Sequence, residues 1–183
     1  MRQLGTLTAA FAAGTLLLTV GLTACTSAPP ASRPSTDDLI KAATRHLTDA
    51  CLTRRGLTPP RPGRRPPPAA EQQRVSDALF GAGRTELSVR LPTGYLVRGH
   101  TDGCLAAAQQ RLYGDQRRWF RTSAIVNNLR PEAAHTHSSL AEVRHRHRAE
   151  LADWRRLRAH ALKSAKTVLA ARTHSSPKGT AHP

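Results

Sequence analysis

The chain has 183 residues, enough for one modest domain with appendages and too few for two full-sized domains. It carries 28 Lys and Arg residues against 12 Asp and Glu residues, so its formal net charge is +16 and its pI is about 11.5. Aromatic residues make up 4% of the chain, which is low for a densely packed domain. Composition therefore indicates one small basic domain and assigns no biochemical activity.

The amino terminus has the pattern of an export signal. Met1-Arg2 is positively charged, and residues 4–23 then carry no charged side chain. This run ends in Leu22-Thr23-Ala24-Cys25, which resembles the lipobox of bacterial lipoprotein precursors. In that family the cysteine sulfur receives a diacylglyceryl group, and a signal peptidase cleaves just before the cysteine. The resemblance implies a signal peptide over residues 1–24 and lipid attachment at Cys25.

An ordinary signal peptide and a retained transmembrane anchor are the alternatives at this terminus. No basic stop-transfer cluster follows closely, and residues 25–35 are small, polar and rich in proline, as suits a tether. Two acyl chains, at about 0.8 kcal/mol per buried CH₂, would anchor the protein stably. We therefore expect a lipid-anchored protein on the extracytoplasmic face of the cell membrane.

The first helix is predicted over residues 36–57. Ser35 can cap its amino terminus, and apolar side chains then recur every three or four positions. The segment Arg54-Arg55-Gly56-Leu57 is typical of a helix end. Residues 58–70 contain six prolines and three arginines, which predicts an extended, semi-rigid linker. A proline-rich ligand and a polybasic lipid contact are the other interpretations of this linker.

A helix–hairpin–helix core is predicted over residues 71–130. Residues 71–80 have the apolar spacing of a short helix, and residues 85–91 alternate polar and apolar side chains as a half-buried strand does. Pro92-Thr93-Gly94 is typical of a hairpin turn. Two further helices follow, so the predicted fold class is α+β and mostly α.

A long basic helix is predicted over residues 138–172, after an interruption at Pro131-Glu132. Residues 140–170 would form a helix about 46 Å long. The tail, residues 173–183, lacks apolar periodicity and is predicted to be disordered. Six arginines of the basic helix are the candidates for contact with an anionic surface: Arg144, Arg146, Arg148, Arg155, Arg156 and Arg158.

Two cysteines remain if Cys25 carries lipid, namely Cys51 and Cys104. Export places the chain in an oxidising compartment, where an even pair is expected to form a disulfide. Closing a loop of this length could stabilise the fold by about 4 kcal/mol. Free thiols or a redox pair are the alternative, although the two cysteines are too far apart for a redox motif. The prediction is a disulfide-stapled helical domain followed by the long basic helix.

No catalytic constellation is recognisable, and no catalytic residue or cofactor is predicted. The sequence has no glycine-rich phosphate loop, nucleophile elbow or metalloprotease motif. Nine histidines raise the question of a metal site, chiefly through His135/His137 and His145/His147. Residues two apart point in nearly opposite directions on a helix, so neither pair can chelate from one helical face. Solvated histidines are expected, with no metal.

Partners are inferred from charge and location. The cluster Arg117-Arg118-Trp119-Phe120-Arg121 could stack on a nucleobase or lie among lipid headgroups, but its aromatic rings are expected in the core. Nucleic acid is not expected, because export removes the chain from most of it. Anionic lipid headgroups or acidic wall polymers are the expected partners of the basic helix.

The chain is also similar to small lipoproteins of GC-rich Gram-positive bacteria. The similarity rests on the lipobox, on Cys51 late in a leading helix, and on Gly103-Cys104 before a helix that ends in Leu112-Tyr113-Gly114. It implies no particular activity. Two function classes remain: a non-enzymatic envelope lipoprotein that binds an anionic surface, and a wall-active enzyme or accessory protein. A deep pocket lined by Glu86, His100 and Asp102 would favour the enzyme.

Overall fold

The computed structural model describes residues 33–175. Residues 1–32, which include the predicted signal peptide, Cys25 and most of the predicted tether, lie outside the described residues, as do residues 176–183 of the predicted tail. The elements, in chain order, are α1 (Thr36–Arg54), α2 (Ala69–Phe80), β1 (Leu87–Arg90), β2 (Leu96–Gly99), α3 (Cys104–Tyr113), α4 (Gln116–Asn127), α5 (Leu129–His135), α6 (Leu140–Arg146) and α7 (Arg148–Ser175). The predicted fold class is confirmed, because these elements form a mostly helical fold with one hairpin, one disulfide and a long final helix.

Local sequence explains both ends of α1. Ser35 Oγ accepts a hydrogen bond from the Asp38 N–H at 3.2 Å, and the Asp38 carboxylate accepts one from the Ser35 N–H at 3.2 Å. This reciprocal capping box satisfies two backbone donors that the first turn would leave unpaired. At the other end Gly56 has φ +71°, and the Leu57 N–H returns to the Leu52 carbonyl. The helix therefore ends at Arg54, and residues 55–57 form its closing turn.

The linker after α1 has no helix or strand between residues 57 and 68. Pro68, with φ −51°, immediately precedes α2, which begins at Ala69 and thus two residues earlier than the sequence pattern predicts. Arg61 in the linker reaches back to Asp49 of α1, with Nη1 and Oδ2 3.0 Å apart. This ion pair therefore holds part of the linker against α1.

The hairpin pairs β1 with β2 in antiparallel register, with Leu87 opposite Gly99 and Val89 opposite Val97. The turn closes through hydrogen bonds from the Leu91 N–H to the Tyr95 carbonyl and from the Gly94 N–H to the Leu91 carbonyl. Gly94 has φ +85°, a conformation that glycine adopts without steric cost. The hairpin presents Leu87 and Val89 to the helices and its alternate residues to solvent.

The largest apolar cluster joins α1, α3 and α7. Ala43, Leu112, Ala161 and Ala165 have 0% of their surface exposed. Small alanine side chains at successive turns of α7 allow the three helix backbones to approach closely. The final helix is therefore part of the folded domain and does not stand free of it.

A second cluster packs the hairpin against α4, α5 and α6, around the fully buried side chain of Val143. A third cluster joins α1, α2 and α3 around Leu52, Ala78 and Cys104. The disulfide between Cys51 and Cys104 lies in this third cluster, with a Cα–Cα distance of 5.7 Å. It links the last turn of α1 to the first residue of α3 across the linker.

The long basic helix differs from the sequence pattern at its start. His147 interrupts it with φ −97° and ψ 26°, so that α6 and α7 are separate helices. The cause is tertiary, because the His147 ring turns inward to the buried carboxylate of Glu132 on α5. Residues 129–135, where Pro131 was expected to interrupt, form α5 itself. Pro131 occupies the first turn of that helix. A backbone N–H there would have no acceptor within the helix, so the absence of an N–H in proline costs no helical hydrogen bond.

Candidate functional site

The structure divides the six candidate arginines into two groups. Three of them bind acidic side chains within the fold: Arg146 with Glu132 at 3.3 Å, Arg156 with Asp153, and Arg158 with Asp37. Arg158 also lies over the Trp154 ring, 4.5 Å from its centroid. The other three, Arg144, Arg148 and Arg155, are exposed and have no acidic partner among residues 33–175. The six therefore do not form one continuous contact surface.

Almost all of the acidic side chains have a hydrogen-bond or ion-pair partner within the described part of the chain. All twelve lie within residues 33–175, and eleven of them accept hydrogen bonds or pair with cationic or histidine side chains. Those eleven are Asp37, Asp38, Asp49, Asp77, Glu86, Asp102, Asp115, Glu132, Glu142, Glu150 and Asp153. Because nearly every acid already has a partner in a cap or an ion pair, the surplus of cations is left without acidic partners among residues 33–175.

Asp153 shows how this separation of charge arises on α7. Its carboxylate accepts two hydrogen bonds from the Arg118 guanidinium, at 2.7 and 2.9 Å, and contacts Arg156. These hydrogen bonds, which Arg118 donates, lower the pKa of Asp153 and raise the pKa of Arg118. Glu150, the other acid of α7, turns toward His147. Both acids of α7 thus face neighbouring residues of the fold.

On the opposite face of α7 the charged side chains are all basic. Arg148 and Arg155 are seven positions apart, and Arg155 and Lys166 are eleven apart, which are both close to whole helical turns. Lys163 lies beside this row. All four side chains are exposed, and none has an acidic partner within the described chain. We name Arg148, Arg155, Lys163 and Lys166 the α7 outer stripe, which extends about 27 Å along the helix.

A groove of about 450 Å³ lies between β1 and α4. Strand residues from Glu86 to Arg90 form one side, and α4 forms the other through Arg117, Phe120, Arg121 and Ile125. Arg90, Arg117 and Arg121 are exposed and have no acidic partner among residues 33–175. We name this feature the β1–α4 groove. Sequence patterns did not indicate it, because it is formed by segments that are far apart in the chain.

The aromatic side chains of the 117–121 cluster are half-buried against the fold. Trp119 stacks on Tyr113, with ring centroids 3.7 Å apart and an interplanar angle of 9°. Phe120 packs on Gly99 of β2, where an added Cβ would lie 2.8 Å from the ring. Arg118 is bound to Asp153. Arg117, Phe120 and Arg121 of this cluster line the β1–α4 groove.

Glu86, His100 and Asp102 do not line a common pocket in the described part of the chain. The Glu86 carboxylate accepts a hydrogen bond from the Thr101 hydroxyl. Asp102 accepts hydrogen bonds from the backbone N–H groups of Gly83 at 2.9 Å and Ala82 at 3.3 Å, and these lower its pKa. His100 Nδ1 is buried with no hydrogen-bond partner. Glu86 and Asp102 therefore have structural contacts, and Glu86 alone reaches the groove.

The histidine pairs likewise do not converge. His147 is turned to Glu132, while His135, His137 and His145 are exposed. Within residues 33–175, no group of three or more histidine, cysteine or acidic side chains is placed to hold a metal ion. No helix in that range is long and apolar enough to cross a membrane.

Comparison of the chain with protein families, with curated proteins and with solved structures gave no match. Functional inference therefore rests on the chain's own residues.

Proposed function

We propose that the protein is an extracytoplasmic lipoprotein, anchored by lipid at Cys25, whose folded domain binds anionic lipid headgroups through the α7 outer stripe. The observation that carries this proposal is the separation of charge on α7, where both acids face the fold and four cations face outward. Lys and Arg side chains near an anionic membrane surface contribute about 1 kcal/mol each. Four such side chains on one helix face suit a flat anionic surface better than a deep ligand site.

The start of α1 supports this arrangement. Asp37 in its first turn is paired with Arg158 of α7, so the tether enters the fold beside the basic helix. Ten residues lie between Cys25 and Thr36, and the eleven residue-to-residue steps span at most about 40 Å. A lipid at Cys25 would therefore hold α7 within reach of the membrane surface.

The surface contact is tested by vesicle flotation. The probe protein is the oxidised chain from residue 25 onward carrying Cys25→Ser, which cannot be acylated. The vesicles are phosphatidylcholine alone or phosphatidylcholine mixed with phosphatidylglycerol, each at low and high salt. We expect binding only to the anionic vesicles, with loss of binding at high salt because the contacts are electrostatic.

A charge-matched pair of variants locates the contact. Neutralising the stripe with Arg148→Gln, Arg155→Gln, Lys163→Gln and Lys166→Gln should weaken vesicle binding by more than about tenfold. The control replaces four exposed arginines elsewhere by glutamine and has the same net charge: Arg64, Arg65, Arg74 and Arg111. Equal losses in the two variants, or equal binding to neutral vesicles, would contradict the proposed contact.

The lipid anchor is tested separately. The intact mass of the protein from native membranes, with and without reductant, reports both acylation at Cys25 and the Cys51–Cys104 bond. We expect a mass that includes a diacylglyceryl group. Replacing Cys25 by serine in the full chain should abolish membrane retention, and retention of that variant would contradict the anchor.

A further inference from the structure

The β1–α4 groove runs along a strand edge that no other strand covers in residues 33–175. β1 pairs with β2 alone. The hydrogen bond from the Leu91 N–H to the Tyr95 carbonyl shows that Leu91 and Tyr95 are a hydrogen-bonded pair. Along an antiparallel ladder such pairs alternate with pairs that are not hydrogen-bonded to each other. The main-chain groups of Leu87 and Val89 therefore face β2, while those of Ser88 and Arg90 point away from β2, on the free edge of a strand whose residues line the groove. The groove consequently contains backbone donors and acceptors with no strand partner.

The walls of the groove are cationic and partly apolar. Arg117 and Arg121 lie one turn apart on α4 and flank the ring of Phe120. Arg90 adds a third cation from the strand, and the one acid of the groove, Glu86, is hydrogen-bonded to Thr101. The volume of about 450 Å³ falls within the range of ordinary ligand sites. An occupant of this groove should therefore be anionic and elongated.

We propose that the β1–α4 groove binds an acidic peptide in extended conformation, which adds as a third strand beside β1. A strand supplies both N–H and C=O groups, so it can satisfy the donors and the acceptors of Ser88 and Arg90 together. A phosphate group is chiefly an acceptor and would leave the strand carbonyls unpaired. Carboxylates of the added strand would pair with Arg117 and Arg121, where guanidinium groups can bind them in bidentate fashion.

A second copy of this chain fits the groove less well than an acidic peptide does. Pairing β1 with β1 of another copy would bring together two groove walls that each carry Arg90, Arg117 and Arg121 against the single acid Glu86. Like charges opposite one another destabilise strand pairing. Charge complementarity therefore favours a separate acidic partner.

The backbone part of the proposal is tested by peptide binding to the oxidised chain from residue 25 onward carrying Cys25→Ser. The probe is a fluorescein-labelled octapeptide of alternating Glu and Val, followed by fluorescence anisotropy. We expect saturable binding that is lost when alternate amides of the probe are N-methylated, because N-methylation removes the strand donors. Equal binding of the N-methylated probe would overturn strand addition and would indicate a simple anion site.

Variants of Ser88 test the same point from the protein side. Ser88→Pro removes an edge donor at a position where an edge strand tolerates proline, and it should weaken binding by about tenfold or more. Ser88→Ala keeps the donor and should bind as the parent does. If Ser88→Pro unfolds the chain, as seen by circular dichroism, the N-methylated probe still decides the question without altering the protein. Unchanged affinity of a folded Ser88→Pro chain would contradict the proposal.

The charge part is tested with Arg117→Gln/Arg121→Gln against the charge-matched control Arg64→Gln/Arg65→Gln. The first pair should weaken binding by about tenfold, and the control should leave binding nearly unchanged. An alternating Lys–Val octapeptide should not bind. If glycerol phosphate displaces the acidic probe when present at the same concentration as the peptide, the groove is a headgroup site and the peptide assignment is overturned.

Discussion

His147 Nε2 lies 2.8 Å from Oε2 of Glu132, whose carboxyl group is almost fully withdrawn from solvent, with 5% of its side chain exposed. The same carboxylate receives a hydrogen bond from Arg146 through its other oxygen, at 3.3 Å. These contacts attach α5 to the junction of α6 and α7. The junction exists because the His147 side chain must turn inward to make them.

Loss of this carboxylate should destabilise the domain. Glu132→Ala leaves the His147 ring and the Arg146 guanidinium without their shared acceptor, and it should lower the free energy of unfolding by about 2–4 kcal/mol. Glu132→Gln keeps an acceptor and should have a smaller effect. Urea denaturation measures both, with Glu71→Gln as control, because Glu71 has no side-chain partner among the described contacts. A Glu132→Ala effect no larger than the control would contradict this role.

Breaking the disulfide should cost more than a typical surface substitution. Cys51 and Cys104 are 53 residues apart and enclose the proline-rich linker, so their bond restricts a long loop in the unfolded chain. Replacing both by serine should lower the free energy of unfolding by about 2–5 kcal/mol. Thermal unfolding of the parent with and without reductant provides a second measurement. A reductant-insensitive melting temperature in the parent would contradict the prediction.

Gly103 should tolerate no side chain. A Cβ at this position would lie 2.6 Å from the Leu79 carbonyl oxygen and 2.7 Å from the Gly81 nitrogen, both of which are backbone atoms. Gly103→Ala must therefore shift the end of α2 away from the start of α3, at a cost of about 1–3 kcal/mol. Urea denaturation of the oxidised chain tests this. Stability equal to that of the parent would show that the two elements are not packed so closely.

Acid should destabilise the fold through four carboxylates. Backbone or side-chain hydrogen bonds lower the pKa of Asp38, Asp102, Glu142 and Asp153 from their ordinary values of 3.8 or 4.5. A group with a lowered folded pKa stabilises the native state above its unfolded pKa and loses that contribution as the pH falls through its folded pKa. We therefore expect the melting temperature to decrease as the pH is lowered from about 4.5 toward the lowered pKa values of these carboxylates.

The contribution of Asp153 to that acid sensitivity can be measured separately from those of the other three carboxylates. Its pKa is lowered chiefly by hydrogen bonds from Arg118. Asp153→Asn should reduce stability at neutral pH and make the acid decline shallower than in the parent, as scanning calorimetry between pH 3 and pH 7 would show. Parallel curves for the two chains would contradict the assignment.

Several features could be predicted because nearby residues determine them. The Ser35 cap and the Gly56 turn depend on residues within one helical turn, so the sequence pattern of α1 was sufficient. The hairpin followed from alternation of side chains and from the turn at Pro92-Thr93-Gly94. Stacking of Trp119 on Tyr113 agrees with the expectation that its ring lies against the core, whereas Phe120 lines the β1–α4 groove.

Other features could not be predicted, because their partners are distant in the chain. Arg158 is paired with Asp37, which is 121 residues away, and so it is not a free surface cation. Helical periodicity continues through His147, and only the buried Glu132 explains why the helix ends there. The β1–α4 groove arises from the packing of two segments that have no local signal in common.

The sequence by itself determined the export signal pattern, the cationic character, the cysteine pair and most helix and turn positions. Charge totals, caps and apolar periodicity are properties of single residues and of neighbours within about one turn of helix. The tertiary structure decided which arginines are internally paired, that α7 packs into the domain, and where a strand edge stays uncovered. Those outcomes depend on which distant groups come within a few ångströms of one another when the apolar faces are buried, and no local pattern encodes that.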